Sequence, residues 1–159
     1  MADSTNACHP GYTMSEKTVG ETLDNLFSKG TGRIIVATFA SNIHRLQQII
    51  NSSIKYGRKI AFSGRSMEKI SEVAIKLGYL DMPEDLLIDL KDLKLYNSNQ
   101  ITIVTTGSQG EPMSALTRMA SSTHKNIQIE KDDMIIISAN PIPGNEKAVS
   151  KVINELTQK

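Results

Sequence analysis

The chain has 159 residues, 39% of them hydrophobic, which suits one compact domain with an ordinary core. Aromatics make up only 4% and Trp is absent, so that core has to be aliphatic, built from Ile, Leu, Val and Met. The net charge of +1, from 18 basic and 17 acidic residues, argues against a free-standing nucleic-acid binder with its usual basic excess. A local asymmetry remains: seven Lys/Arg against two Glu from Ile43 to Lys76, then five acidic residues against Lys91 from Asp81 to Asp92. Such blocks are commonly solvated faces, and a basic face that meets phosphate is the sharper alternative. The single cysteine, Cys8, permits no internal disulfide and fits a reducing cytoplasm. No signal peptide is evident, and runs such as Ile34 to Ala37 are too short to span a membrane, so the expected location is cytoplasmic.

In chain order, Thr13-Met14-Ser15-Glu16 has capping-box form and predicts a helix carrying Val19, Leu23, Leu26 and Phe27, ending at Gly30. Arg33 to Phe39 then reads as a buried parallel strand. Ala40-Ser41-Asn42 caps a helix with Ile43, Leu46, Ile50 and Ile54, stopped by Gly57. Lys59 to Phe62 is the next strand, and Ser63-Gly64-Arg65-Ser66 turns into a helix with Ile70, Val73 and Leu77 on its apolar stripe. Leu86 to Asp89 has strand character, and Leu90 to Tyr96 reads as a short helix or an edge. Ile101 to Thr105 is a strand, followed by a helix entered at Pro112 with Met113, Leu116, Met119 and Ala120 facing inward. Ile127 to Ile129 reads as a short edge strand and Met134 to Ser138 as a central one. A Pro/Gly loop then leads to a last helix with Val149, Val152, Ile153 and Leu156.

Alternating strands and helices imply an α/β domain: a mostly parallel open sheet with helices on both faces, a Rossmann-like three-layer arrangement. All strand carboxyl ends then share one edge, where ligands of such sheets bind. The sequences at that edge are small and polar: Thr38 to Asn42, Ser63 to Ser66, Thr105 to Glu111 and Ser138 to Asn145. Helix starts there suit phosphate, although Ser, Thr and Asn are also what any helix cap prefers. The candidate phosphate-binding residues are Ser41, Asn42, Ser63, Gly64, Arg65, Ser66, Ser108, Gln109 and Asn140, with Arg65 the main cation.

Several enzyme signatures are absent. The sequence holds neither a P-loop nor G-x-G-x-x-G, Ser108 is not in a G-x-S-x-G elbow, and no acidic cluster follows the first clear strand. His9, His44 and His124 lack metal-ligand spacing. A binding rim without a complete catalytic constellation suggests a partner domain elsewhere. Two other readings stay open: a free-standing phosphate- or nucleotide-binding α/β module without catalysis, and an interaction protein whose polar loops are only helix caps.

Five segments are more particular than generic caps: Ala2 to Ala7, Pro10 to Glu16, Ala37 to Arg45, Thr106 to Pro112 and Ser138 to Glu146. In order and over nearly the whole chain they resemble the β-CASP domain of the ribonuclease J family. The resemblance implies a single β-CASP domain over 1–159, with 1–12 a lead-in from a metallo-β-lactamase domain into which β-CASP is inserted. It implies a parent ribonuclease, a phosphodiester hydrolase acting as 5′-to-3′ exonuclease and endonuclease in RNA maturation and decay. The parent's two zinc ions sit in the metallo-β-lactamase domain; no metal or cofactor is expected in this chain, which is expected to be inactive alone. Asp3 matches the family's motif A acid, which orients a histidine near the scissile phosphate. The implied partners are RNA with a 5′ monophosphate and the metallo-β-lactamase domain of the same parent chain, with no membrane and with a homo-oligomeric parent left open. Termini lying on one side of the domain are a further expectation for an insert.

Overall fold

The computed structural model describes Cys8, Pro10, Gly11 and residues 15–159. Asp3, the Thr13 and Met14 part of the capping box, and the placement of the amino terminus against Lys159 lie outside the described residues. In chain order the elements are α1 (Glu16–Lys29), β1 (Ile34–Ala37), α2 (Ile43–Lys55), β2 (Lys59–Ser63), α3 (Arg65–Lys76), β3 (Ile101–Thr105), α4 (Ala115–Ala120), β4 (Met134–Ile137) and α5 (Glu146–Leu156). Two 3₁₀ helices, Leu90–Leu95 and Ser98–Gln100, link α3 to β3.

The four strands form one all-parallel sheet in the order β2-β3-β1-β4. Alternation of side chains along β1 divides the interior. Ile34 and Val36 face a core closed by Leu23 and Phe27 of α1, Leu46, Ile49 and Ile50 of α2, and Met67 of α3. Ile35 and Ala37 face a second core closed by Leu116 and Met119 of α4 and Val152 of α5. Covering both faces is what permits the near-continuous apolar strands Ile34–Ala37 and Ile101–Thr105.

The amino edge of the sheet is fastened by two arginines. Arg58, which is buried, donates from Nη1 to the carbonyls of Gly32 (2.9 Å) and Ile101 (3.1 Å) and from Nη2 to that of Gly30 (2.6 Å). Arg33 holds Asp133 with paired hydrogen bonds of 2.8 and 2.6 Å and donates to the Gln128 carbonyl at 2.7 Å.

Several sequence expectations need correction. Ser15 caps α1: its side chain accepts from the Lys17 N–H, and Glu16 is the first helical residue rather than the third. β1 ends at Ala37, so Phe39 leaves the strand and is exposed. Ile54 is exposed too, and Ile49 takes its place in the core. The α3 stripe is displaced. Met67, Ser71 and Ala74 face the sheet, while Val73 and Leu77 are 48% and 64% exposed. Small residues on the inner face let α3 pack close, and the bulkier stripe is left outside.

Leu86 to Asp89 contributes only a one-residue parallel bridge, Leu87 to Ile60. The chain then coils into Leu90–Leu95, which is a short 3₁₀ helix as one expectation had it. Pro112 lies in a turn; α4 starts later, with Ser114 as cap, and Met113 is 83% exposed. Ile127 to Ile129 forms no strand, though Ile127 is buried. β4 is at an edge among the described residues, not central, and its four residues are only half-buried.

Candidate functional site

Because all four strands are parallel, their carboxyl ends lie along one rim as expected. The rim residues divide into two groups.

Toward β4 the loops are bound to one another. Asn42 caps α2, its Oδ1 accepting from the Arg45 N–H at 3.0 Å. Arg45 is buried. It grips both carboxylate oxygens of Glu16 at 2.9 to 3.2 Å and donates to the carbonyl and hydroxyl of Ser138 beyond β4. One guanidinium thus ties α1, α2 and the β4 loop together. Gln109 is also buried. Its amide donates to the Asn140 carbonyl (3.0 Å), and its Oε1 accepts from the Ile142 N–H (2.7 Å) and from the Asn145 side chain (3.3 Å). Ser108 is buried beside it. Gly110 has φ +70°, and a Cβ there would sit 2.5 Å from the Ala148 carbonyl carbon, so the β3 loop lies directly on the backbone of α5. Ser41 and Asn140 are exposed at this side.

Toward β2 the rim is open. Gly64 has φ +111°, and a Cβ there would meet Thr106 Oγ1 at 2.6 Å, so glycine brings the β2 turn against β3 and aims α3 outward. The side chains of Arg65 and Ser66 are exposed and make no hydrogen bond or ion pair among the described residues. Arg65 pairs with neither Glu68 nor Glu111. Glu68 accepts from the Gly64 N–H (3.2 Å) and Glu111 from the Gln109 N–H (3.2 Å). Glu68 therefore holds one donor that a phosphate would otherwise use.

Ser63 is fully buried and meets His124 Nε2 at 3.1 Å. His124 Nδ1 accepts from the N–H groups of Asn126 (3.3 Å) and Ile127 (3.1 Å), so the ring proton belongs on Nε2, which donates to Ser63. Burial, with Arg118 nearby, lowers the His124 pKa below its ordinary 6.5, against an opposing pull from Glu68. The imidazole is a neutral brace.

The basic block from Ile43 to Lys76 also divides. Arg45 and Arg58 are buried and engaged, Lys55 pairs with Asp24 (2.7 Å), and Lys59 with Asp85 (3.3 Å). Arg65, Lys69 and Lys76, all on α3, make no ion pair among the described residues.

Sequence reasoning missed Arg45 and His124 as parts of this rim. They act through partners distant in sequence, which no local pattern reports. Phe39 lies in the Thr38 to Asn42 rim segment, but its apolar surface was not singled out. It is 38% exposed, and Met113 and Ile142 stand exposed on the two neighbouring loops. The rim thus carries apolar as well as polar surface.

Comparison with known proteins agrees with this fold. Residues 31–156 match the family described as Ribonuclease J, beta-CASP domain. The chain belongs to the ribonuclease J β-CASP family. It is 51% identical over 159 residues to ribonuclease J of Helicobacter pylori, covering 100% of this chain and 23% of that protein. It is 49% identical over 156 residues to ribonuclease J of Thermus thermophilus, covering 98% and 27%. It is 42% identical over 158 residues to ribonuclease J2 of Bacillus subtilis, covering 99% and 28%. The chain thus spans about a quarter of the length of these ribonuclease J relatives. Among the described residues of this β-CASP chain, no group of three or more His, Cys, Asp or Glu could hold a metal, and no helix is long and apolar enough to cross a membrane.

Proposed function

We propose that this chain is the RNA-clamping domain of a ribonuclease J. It works with a metallo-β-lactamase domain of the same polypeptide in RNA maturation and decay. The reading rests on one observation above the others: Arg65, exposed and without a protein partner among the described residues, stands at the strand-end turn of β2. A guanidinium there can pair with two phosphate oxygens, and the exposed Ser66 hydroxyl can add a neutral donor. Ser41 and Asn140 reach the same rim from the other side.

Ser108, Gln109, Asn42 and Ser63 hold the loops rather than the ligand in this reading. The exposed Phe39, Met113 and Ile142 suit a rim partly covered by the metallo-β-lactamase domain, with RNA in the cleft between. In this reading the chain binds and positions RNA, and the hydrolytic chemistry, exonucleolytic or endonucleolytic, belongs to the metallo-β-lactamase domain.

The test is Arg65→Ala in the full-length enzyme. Affinity for 5′-monophosphorylated single-stranded RNA should fall similarly for all sequences, and the salt dependence should lose about one unit of slope, because phosphate contacts carry little sequence information. Unchanged affinity and slope would remove Arg65 from the RNA path.

A further inference from the structure

The outer edge of the sheet stops halfway. Along β2, Ser63 turns its carbonyl toward β3, where it accepts from the Thr106 N–H at 3.3 Å. Neighbouring residues of a parallel strand point the other way. Ile60 does so, accepting from the Ile88 N–H and donating to the Leu86 carbonyl, both at 2.8 Å. Phe62, two residues on, presents its N–H and C=O to the same outer side, and neither has a backbone partner among the described residues. The ladder breaks because the chain coils into Leu90–Leu95 instead of running on beside β2.

Beside this break lies a groove of about 770 Å³ between α3 and residues 87–91. Phe62, Ile75, Leu87 and Leu90 give it an apolar lining, and Glu68 and Glu72 stand along its α3 wall. Asp89 pairs with Lys91 at 3.0 Å, so the carboxylates left to a ligand are Glu72 and Glu68, the latter also accepting from the Gly64 N–H, with Lys76 a turn further on. An unpaired strand edge is normally covered or blunted. Here it opens into an apolar groove with an acidic wall.

We infer that this groove binds an extended basic-aliphatic peptide segment of another protein, which adds a strand to β2 at Phe62. The segment's backbone supplies a carbonyl to the Phe62 N–H and an amide to its C=O. Its aliphatic side chains cover Ile75 and Leu87, and a Lys or Arg meets Glu68 and Glu72. Backbone pairing gives affinity and alternate side chains give specificity, as in strand addition generally. This surface meets the RNA rim at Glu68, and it does not depend on the Arg65 reading.

The probe is a seven-residue synthetic peptide of alternating valine and lysine, titrated into the 159-residue chain and followed by amide NMR. Phe62 and Ile88 should shift saturably, and the Phe62 amide, fast to exchange in the free chain, should become protected. The same peptide N-methylated at its central amides should bind about ten-fold more weakly, the worth of the lost backbone hydrogen bonds. Protection of Phe62 equal to that of Ile60 without peptide would overturn the inference. So would equal binding of the N-methylated peptide, or the same shifts on adding single-stranded oligouridylate.

Discussion

Toward β4, the rim's polar side chains are turned on the protein itself; toward β2, the same kinds of side chain face outward. Arg45 and Arg65 both sit near the start of a helix that follows a strand. Arg45 is buried and closes on Glu16 and Ser138, whereas Arg65 is exposed and closes on nothing among the described residues. The contrast teaches that a strand-end arginine takes its job from its surroundings. Where two helices and a loop converge it becomes a tie, and where a positive-φ glycine aims the helix outward it remains a reach.

The largest expected effect breaks or keeps this contrast directly. Arg45→Met should lower unfolding stability by about 3 kcal/mol, since it leaves the Ser138 groups and Glu16 without their donor. Arg65→Met should change it by less than about 0.5 kcal/mol, as surface substitutions do. Chemical denaturation of the two variants decides, and equal losses would erase the distinction.

A smaller effect concerns His124. Its pKa is lowered in the folded chain, so the unfolded chain binds more protons once pH drops through 6.5. Stability is therefore full above that value and declines as pH falls below it, levelling off under the lowered folded value. His124→Gln should flatten that part of the stability-against-pH curve. A variant with the same slope as the parent would show that another group titrates there.

The smallest expected effect tests the displaced stripe. Val73→Lys with Leu77→Lys should cost less than about 0.5 kcal/mol, because both side chains already stand in solvent. Were that stripe buried, as its spacing in the sequence suggests, the double variant would not fold.

That stripe marks where local pattern stops being informative. The alternation of strand and helix, the shared rim and the two-faced core follow from periodicity and chain order, which are local properties. Which face of α3 is buried does not, because Ser71 and Ala74 win the inner position through close approach to the sheet rather than through hydrophobicity. Similarly, Met134 to Ile137 is as apolar as a central strand and yet lies at an edge among the described residues, since strand order is set by crossovers rather than by composition. At the rim, residue type located the loops. It could not separate Gln109, with three partners inside the protein, from Arg65 with none among the described residues.

Arg58 gives the molecule a direction. It binds the carbonyls of Gly30, Gly32 and Ile101 at the amino edge, and no carboxylate among the described residues shares the knot. Carbonyls do not titrate and a guanidinium stays charged even when burial lowers its pKa, so the Arg58 knot itself offers acid nothing to protonate, unlike the Arg33–Asp133 pair beside it. The His124 brace at the opposite end gives way first. As pH falls, β2 and β3 should therefore fray from their carboxyl ends downward, and hydrogen exchange in mild acid should reach Ser63 and Thr105 before Ile101.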